Sequence, residues 1–362
     1  MKIGIVTQPL KANYGGILQN WALQQVLLLM GHEPITIDYM PRRSIINHLF
    51  ILFKTLLLSL FSIRKGPLVR YLSSHRFSPF SDFVKQNIIV TRQVHQYKST
   101  LIREYNFNAL IVGSDQVWRP RYNKSLKDMY LSFAKYALVR KIAYAASFGI
   151  GENGWEYTES QTRQCRRLAS KFNAISVRER SGIKICQFYL GMNAVHVLDP
   201  TLLLTKNDYA RLCENVPVRK EAFIAIYELN KTKQMMDCVS SMKDQSGLSI
   251  CKFSADLTST LTVEEWLSMF RDAVYIITDS FHGTVFSLLF EKPFISIGNH
   301  RRGLERFQTL LEEVGLIDRL LIDDIEYDYL DLIKKPINWE IVRGQLTAQR
   351  VKSFEFLKKN LL

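Results

Sequence analysis

Four short stretches of the chain bring together side chains suited to proton transfer and anion binding. In "IITDSFHGTVFSLLF" (276–290), Asp279, Ser280, Phe281, His282 and Gly283 stand between two apolar runs. Asp279 or Ser280 suits the cap of a helix that starts here, and the free N–H groups of its first turn attract a phosphate or carboxylate. Gly283 would let such a ligand come close to the backbone. His282 then serves as a donor to an anion or as a proton carrier, because imidazole titrates near neutral pH. A histidine that merely packs behind a capping Asp/Ser is the bland alternative.

In "GSDQVW" (113–118), Ser114, Asp115 and Gln116 follow an apolar run, and a carboxylate there can act as a base toward a hydroxyl. A turn-forming Gly-Ser-Asp explains the same letters. "NYGGILQ" (13–19) offers Asn13, Tyr14, Gly15 and Gly16 ahead of a helical pattern, a place for a phosphate or sugar. The GxGxxG fingerprint is missing, which disfavours nicotinamide cofactors. "SVRER" (176–180) is read as strand, so Arg178 and Arg180 share one face with Glu179 opposite, and one arginine could clamp a carboxylate through two parallel hydrogen bonds.

The elements that must position these residues follow a repeating pattern of strand, polar loop and helix. Strands are expected within 2–7, 34–40, 108–115, 141–149, 173–180 and 194–200, and again within 222–229, 248–254, 273–280 and 293–298, with helical patterns between. This rhythm predicts an α/β protein of two Rossmann-like domains. The first covers 1–205 and the second 206–330, with a terminal helix over 331–362. In such sheets ligands bind beyond the carboxyl ends of the strands, where the polar stretches within 13–19, 113–118 and 276–290 fall.

Five scattered cysteines with no CxxC or Cys/His cluster give no tetrahedral metal site, and a reducing cytoplasm is expected. The net charge of +14 is uneven: residues 1–150 hold 20 Lys/Arg against 6 Asp/Glu, while residues 151–362 hold 28 of each. The excess favours an anionic partner. No groove-reading or base-stacking motif accompanies it, so nucleic acid is not expected. Residues 45–63, "IINHLFILFKTLLLSLFSI", carry a narrow polar stripe (His48, Thr55, Ser59, Ser62) on a broad apolar helix face flanked by Arg42, Arg43, Arg64, Lys65 and Arg70. That pattern suits either an in-plane helix at an anionic membrane surface or a core or lid helix of the first domain.

Taken together, "NYGGILQNWAL", "VGSDQVW", "YAASFG", "SVRERSG", "VLDPTLLL" and "TDSFHGTVFSLLFEKPFISI" resemble the polysaccharide pyruvyl transferase family, from residue 1 to about 310. The resemblance implies two domains arranged as in GT-B glycosyltransferases, with the active site in the cleft between them. It also implies a reaction in which a pyruvyl group moves from phosphoenolpyruvate, the donor substrate, to two hydroxyls of a sugar as a cyclic ketal, with no further cofactor. By that resemblance His282 matches the family's histidine near the donor and Arg178 its arginine. His282, Asp115 and Asp279 form the catalytic set. Arg178, Ser280, Phe281, Gly283, Arg302 and Arg306 hold the donor, and Asn13, Tyr14, Gly15, Gly16, Gln19, Ser114 and Gln116 face the acceptor. Many members carry Arg-Leu-His where this chain has Ser280-Phe281-His282. Ser280 with its helix N-terminus, a cation such as Arg302 or Arg306, or a different donor must account for the departure. The implied partners are phosphoenolpyruvate and a glycan or lipid-linked acceptor, with a terminal galactose as the leading sugar, together with peripheral contact to an anionic membrane. A nucleotide-sugar glycosyltransferase and a non-catalytic member of a polysaccharide assembly complex are the competing readings.

Overall fold

The computed structural model describes residues 1–11, 13–41, 80–123, 125–254, 261–299, 303–322, 327 and 329–361; the amphipathic 45–63 stretch and Arg302 lie outside them. Six strands, β1 (Lys2–Val6), β2 (Glu33–Thr36), β3 (Ala109–Val112), β4 (Arg140–Ala146), β5 (Ala174–Val177) and β6 (Val195–His196), form a sheet in the order β2-β1-β3-β4-β5-β6. Five more, β7 (Phe223–Tyr227), β8 (Ser249–Phe253), β9 (Tyr275–Thr278), β10 (Phe294–Gly298) and β11 (Leu320–Ile322), form a second in the order β11-β10-β9-β7-β8. Every pairing is parallel. The central strands are buried at each position, as in "ALIV" of β3 and "YIIT" of β9, because helices cover both faces. The α/β reading with two parallel sheets therefore holds.

Each expected strand is present, but several stop before the polar residues that end the pattern. β5 ends at Val177, so Arg178, Glu179 and Arg180 leave the alternation expected of them: Arg178 and Glu179 are buried, and only Arg180 is exposed. β11, three residues at a sheet edge, is too short to show a period and was not expected.

Helix α1 (Tyr14–Leu29) starts earlier than its apolar pattern suggests. Asn13 caps it by accepting a hydrogen bond from Gly15 N at 3.1 Å, and both glycines lie in the first turn instead of in a loop. The remaining helices that shape the argument are α2 (Glu159–Ala169), α3 (Val263–Asp272), α4 (Phe281–Leu289), α5 (Leu304–Glu313) and α6 (Trp339–Leu361).

One apolar cluster runs through both domains. Tyr14 of α1 stacks on Trp266 of α3 with ring centroids 5.1 Å apart and planes 8° from parallel, and its hydroxyl donates to Leu261 O at 2.7 Å. Burying rings of this size contributes about 1.5–3 kcal/mol each, so the seam holds the two domains in one arrangement. The seam also has polar stitches, Arg180 with Glu312 at 3.0 Å and His196 with Glu313 at 3.1 Å. The terminal helix α6 returns to the first domain. Leu198 N donates to Ser353 Oγ at 3.0 Å and Arg350 donates to Leu202 O and Leu204 O.

Candidate active site

In each sheet the strand order reverses once. The connection leaves β1 toward β2 on one side while β3 lies on the other, and leaves β7 toward β8 while β9 lies opposite. Loops diverge at such points and open a crevice at the carboxyl ends of the strands. Here the two crevices face each other and enclose a cavity of about 150 Å³. The loop after β1 contributes Gln8 and Asn13, the loop after β3 Asp115 and Gln116, and the second domain Leu229, Asp279 to His282 and Arg306.

Asp115 sits in the left-handed region at φ +72°, a strained conformation for a residue with a side chain. Its carbonyl accepts from Val117 N at 2.7 Å and Ser147 N at 3.1 Å, which ties the turn to β4 and offsets the strain. The carboxylate is then aimed inward. Oδ1 accepts from Gln116 N at 2.9 Å and from Arg178 Nη2 at 3.3 Å, and Oδ2 from Asn13 Nδ2 at 3.5 Å. Arg178 uses its other arm on Asp199, whose Oδ2 lies 2.6 Å from Nη1. Asp199 also accepts from Ser114 Oγ at 2.8 Å and, through Oδ1, from Thr201 Oγ1 at 2.6 Å. His282 Nε2 stands 3.8 Å from Asp199 Oδ2, too far for a hydrogen bond but close enough for strong electrostatic coupling.

Burial alone would raise both aspartates. For Asp115 this is outweighed by Arg178, His282 and Arg306, and for Asp199 by His282 and Arg178 together with the Thr201 hydroxyl, so both are held below the usual carboxylate range, Asp199 far below. Arg306 goes the other way. Burial and the neighbouring Arg178 bring it down to about 10. Both guanidinium groups lie over the ring of Phe281, at 4.6 Å for Arg178 and 5.1 Å for Arg306. Arg306 Nη1 is 3.9 Å from Asp115.

The residues expected at the site separate into those that reach the cavity and those that support it. His282, Asp115, Asp279, Ser280, Phe281, Arg306, Asn13 and Gln116 line it. Arg178, expected to clamp a ligand, instead braces Asp115 against Asp199. Asp279 directs Oδ1 at Leu229 N (2.7 Å) and Oδ2 at Asn230 N (2.8 Å), so its carboxylate fixes the loop after β7. Ser280 caps α4 by accepting from Gly283 N. Gly283 packs tightly against β9, since a Cβ there would stand 2.2 Å from Thr278 Oγ1. Gly15 makes room for His282, whose Nδ1 lies 1.9 Å from where a Cβ would be. Gly16 packs against the Asn13 side chain. Tyr14 belongs to the domain seam, Ser114 holds Asp199, and Gln19 is buried, donating to Thr7 Oγ1 and Gly16 O.

Two residues that matter were not singled out as site residues. Asp199 was visible only as the aspartate of "VLDP", a common turn pair. Glu179, read as facing away, accepts from Phe148 N at 2.7 Å and Gly149 N at 3.0 Å. Through Gly149 it supports Gly303, whose added Cβ would meet Gly149 O at 2.7 Å, and hence the start of the helix that carries Arg306. Among the described residues no group of three or more His, Cys, Asp or Glu side chains is arranged to hold a metal ion.

Two parallel α/β domains with a site at their facing crevices define the GT-B class of architecture. The chain is similar to the solved UDP-GlcNAc 2-epimerase of Methanocaldococcus jannaschii, in complex with UDP-GlcNAc and UDP, at a TM-score of 0.53 and 12% identity over 100% of this chain and 99% of that one. The UDP-GlcNAc 2-epimerase of Neisseria meningitidis gives 0.49 at 10% identity over 99% and 100% of the two chains. Spinosyn rhamnosyltransferase SpnG gives 0.46 at 10% identity over 99% and 96%. At such identities a likeness shows the fold alone, and the first of the three carries it. No curated protein matches the sequence. The polysaccharide pyruvyl transferase family matches residues 13–301, and the chain belongs to this family of enzymes. No helix among the described residues is long and apolar enough to cross a membrane.

Proposed function

We propose that the protein transfers the pyruvyl group of phosphoenolpyruvate to two hydroxyls of one sugar, a terminal galactose being the leading acceptor, and needs no cofactor besides that donor. One hydroxyl oxygen bonds to C2 as C3 takes a proton and becomes a methyl group; the second hydroxyl oxygen then displaces phosphate from C2. The two hydroxyl protons end on C3 and on the departing phosphate.

The observation that carries this reading is that His282 and Asp115, from opposite domains, line one small cavity beside Arg306. Arg306 meets the donor's charge, helped by the first-turn N–H groups of α4, and so fills the place of the arginine that the Ser-Phe-His sequence lacks. Phe281 supplies a flat surface for both guanidinium groups. Asp115, held ionised, orients an acceptor hydroxyl but is a weak base because its pKa is low. His282 carries the proton in this reading, its Nε2 standing 3.8 Å from Asp199 Oδ2. Arg178 keeps both aspartates in place, and Asp279 positions the β7 loop without exchanging protons. A lipid-linked acceptor at an anionic inner membrane face would suit the basic first domain.

The test is phosphate release from phosphoenolpyruvate with and without β-galactosides, with mass spectrometry of the sugar. Acceptor-dependent phosphate and a ketal-bearing sugar are expected. No release across a broad acceptor panel, with preferential binding of UDP or GDP, would overturn the reading in favour of glycosyl transfer.

A further inference from the structure

The first domain carries a second hollow, of about 730 Å³, that shares no lining residue with the interdomain cavity. Lys127, Lys135, Arg163, Arg167 and Lys171 line it, and no carboxylate does. Among the described residues, Arg163 pairs with Glu159 at 3.3 Å, and Asp128 is occupied by the hydroxyls of Ser125 and Ser132. Among the described residues the other four cations make no ion pair.

Their arrangement follows from α2. Within α2, Ser160, Arg163, Gln164 and Arg167 recur at spacings of three and four and line the hollow with Leu168, while Cys165 and Ala169 turn inward; Lys171 follows just past the helix end. Opposite stands Tyr136, 85% exposed, with the Lys135 ammonium 4.7 Å from its ring centroid. Because β4 and β5 are parallel, α2 runs back against them. Ser160 therefore lies nearer the strand ends where the active cavity opens, and Arg167, seven residues along the helix, about 10 Å further away.

We propose that this groove binds a carboxylate-bearing glycan chain, the charged polymer that ketal formation itself produces. The proposal rests on the reaction inferred above, in which every ketal adds one carboxylate to the chain. Five cations around one hollow, two of them a turn apart on α2, match charges repeated along a polymer, Gln164 and Ser160 can bond hydroxyls, and Tyr136 offers a face for a sugar ring. The hollow is concave, which fits a chain better than a flat lipid surface.

The experiment titrates the full chain with a polysaccharide carrying pyruvate ketals, with the same polysaccharide after mild acid has removed them, and with phosphatidylglycerol vesicles. The ketal-bearing polymer should bind about tenfold tighter than the stripped one, and weaken with salt. Arg167→Glu with Lys171→Glu should abolish that difference, and Tyr136→Ala should weaken binding of both polymers, all at unchanged Tm. Equal affinity for the two polymers, or no response to charge reversal, overturns the proposal. So does vesicle binding that the reversal removes while neither polymer binds. Turnover is read separately: loss of discrimination in a protein that still pyruvylates a short acceptor sinks the groove alone, and discrimination without phosphate release sinks only the reaction.

Discussion

His282 of the second domain occupies the space that a side chain on Gly15 of the first would fill: a Cβ there would stand 1.9 Å from Nδ1 and 2.2 Å from Cγ. The glycine is thus a cross-domain socket for the imidazole. Gly15→Ala should favour α1 locally and yet displace the ring. A misplacement of this order costs about 100-fold in rate. Steady-state kinetics should show that fall in kcat with circular dichroism unchanged, and His282→Ala should then add little to it. Full turnover by Gly15→Ala would mean that the imidazole is not needed where the structure puts it.

Arg306 is a buried cation beside another cation, which explains why it is brought down to about 10. An anionic donor would relieve that repulsion. Arg306→Ala should therefore leave the unliganded protein at least as stable, while raising the KM for phosphoenolpyruvate about 10- to 100-fold, the range of one charge-assisted hydrogen bond. Thermal shift checks it directly. Phosphoenolpyruvate should raise the Tm of the wild type and not that of the variant.

The chemistry-bearing residues at the ends of β3 and β9 were legible in the sequence because an apolar strand that stops at polar residues reports both the element and its exposed end. Asp115 and His282 stand out on those grounds. Asp199 does not: its importance comes from Arg178 and Ser114, distant in sequence, closing around it in the folded state. Glu179 and Arg178 were misread because alternation was carried past Val177, where the strand ends. Tyr14 and Gln19 were drawn toward the site by their nearness to Asn13, but a helix turns successive side chains away from one another. Only the third dimension shows which of them meets the cavity.

Asp279 tests whether a carboxylate in the cavity wall does chemistry or architecture. Its oxygens accept from the backbone N–H of Leu229 and Asn230, which leaves little capacity for a substrate proton. Asp279→Asn keeps an acceptor of the same shape and should cost about 1–3 kcal/mol of stability for the oxygen that is lost. Its kcat should stay within about tenfold of wild type, with the pH–rate profile unmoved. A collapse of kcat at full stability would return Asp279 to the proton-transfer group.

Asp199 makes the site's electrostatics visible in stability. Its folded pKa lies well below the unfolded value of about 3.9, because His282 and Arg178 outweigh burial. Below that value the unfolded chain binds more protons than the folded one, so stability rises with pH there. The contribution is fully present above the unfolded pKa and is lost as pH falls toward the folded one; Asp115, also depressed, acts in the same direction. Urea midpoints of the wild type should therefore show no loss from these groups near neutrality and fall steeply below about pH 4. Asp199→Asn leaves Arg178 buried with one carboxylate fewer and should cost about 3–5 kcal/mol at neutral pH. Its acid slope should be shallower, so the two curves converge as pH falls. Parallel curves would mean that the proton linkage lies elsewhere. Convergence would show that the brace holding Arg178 against Asp115 is an ionised Asp199, and that the site is assembled by charge before any substrate arrives.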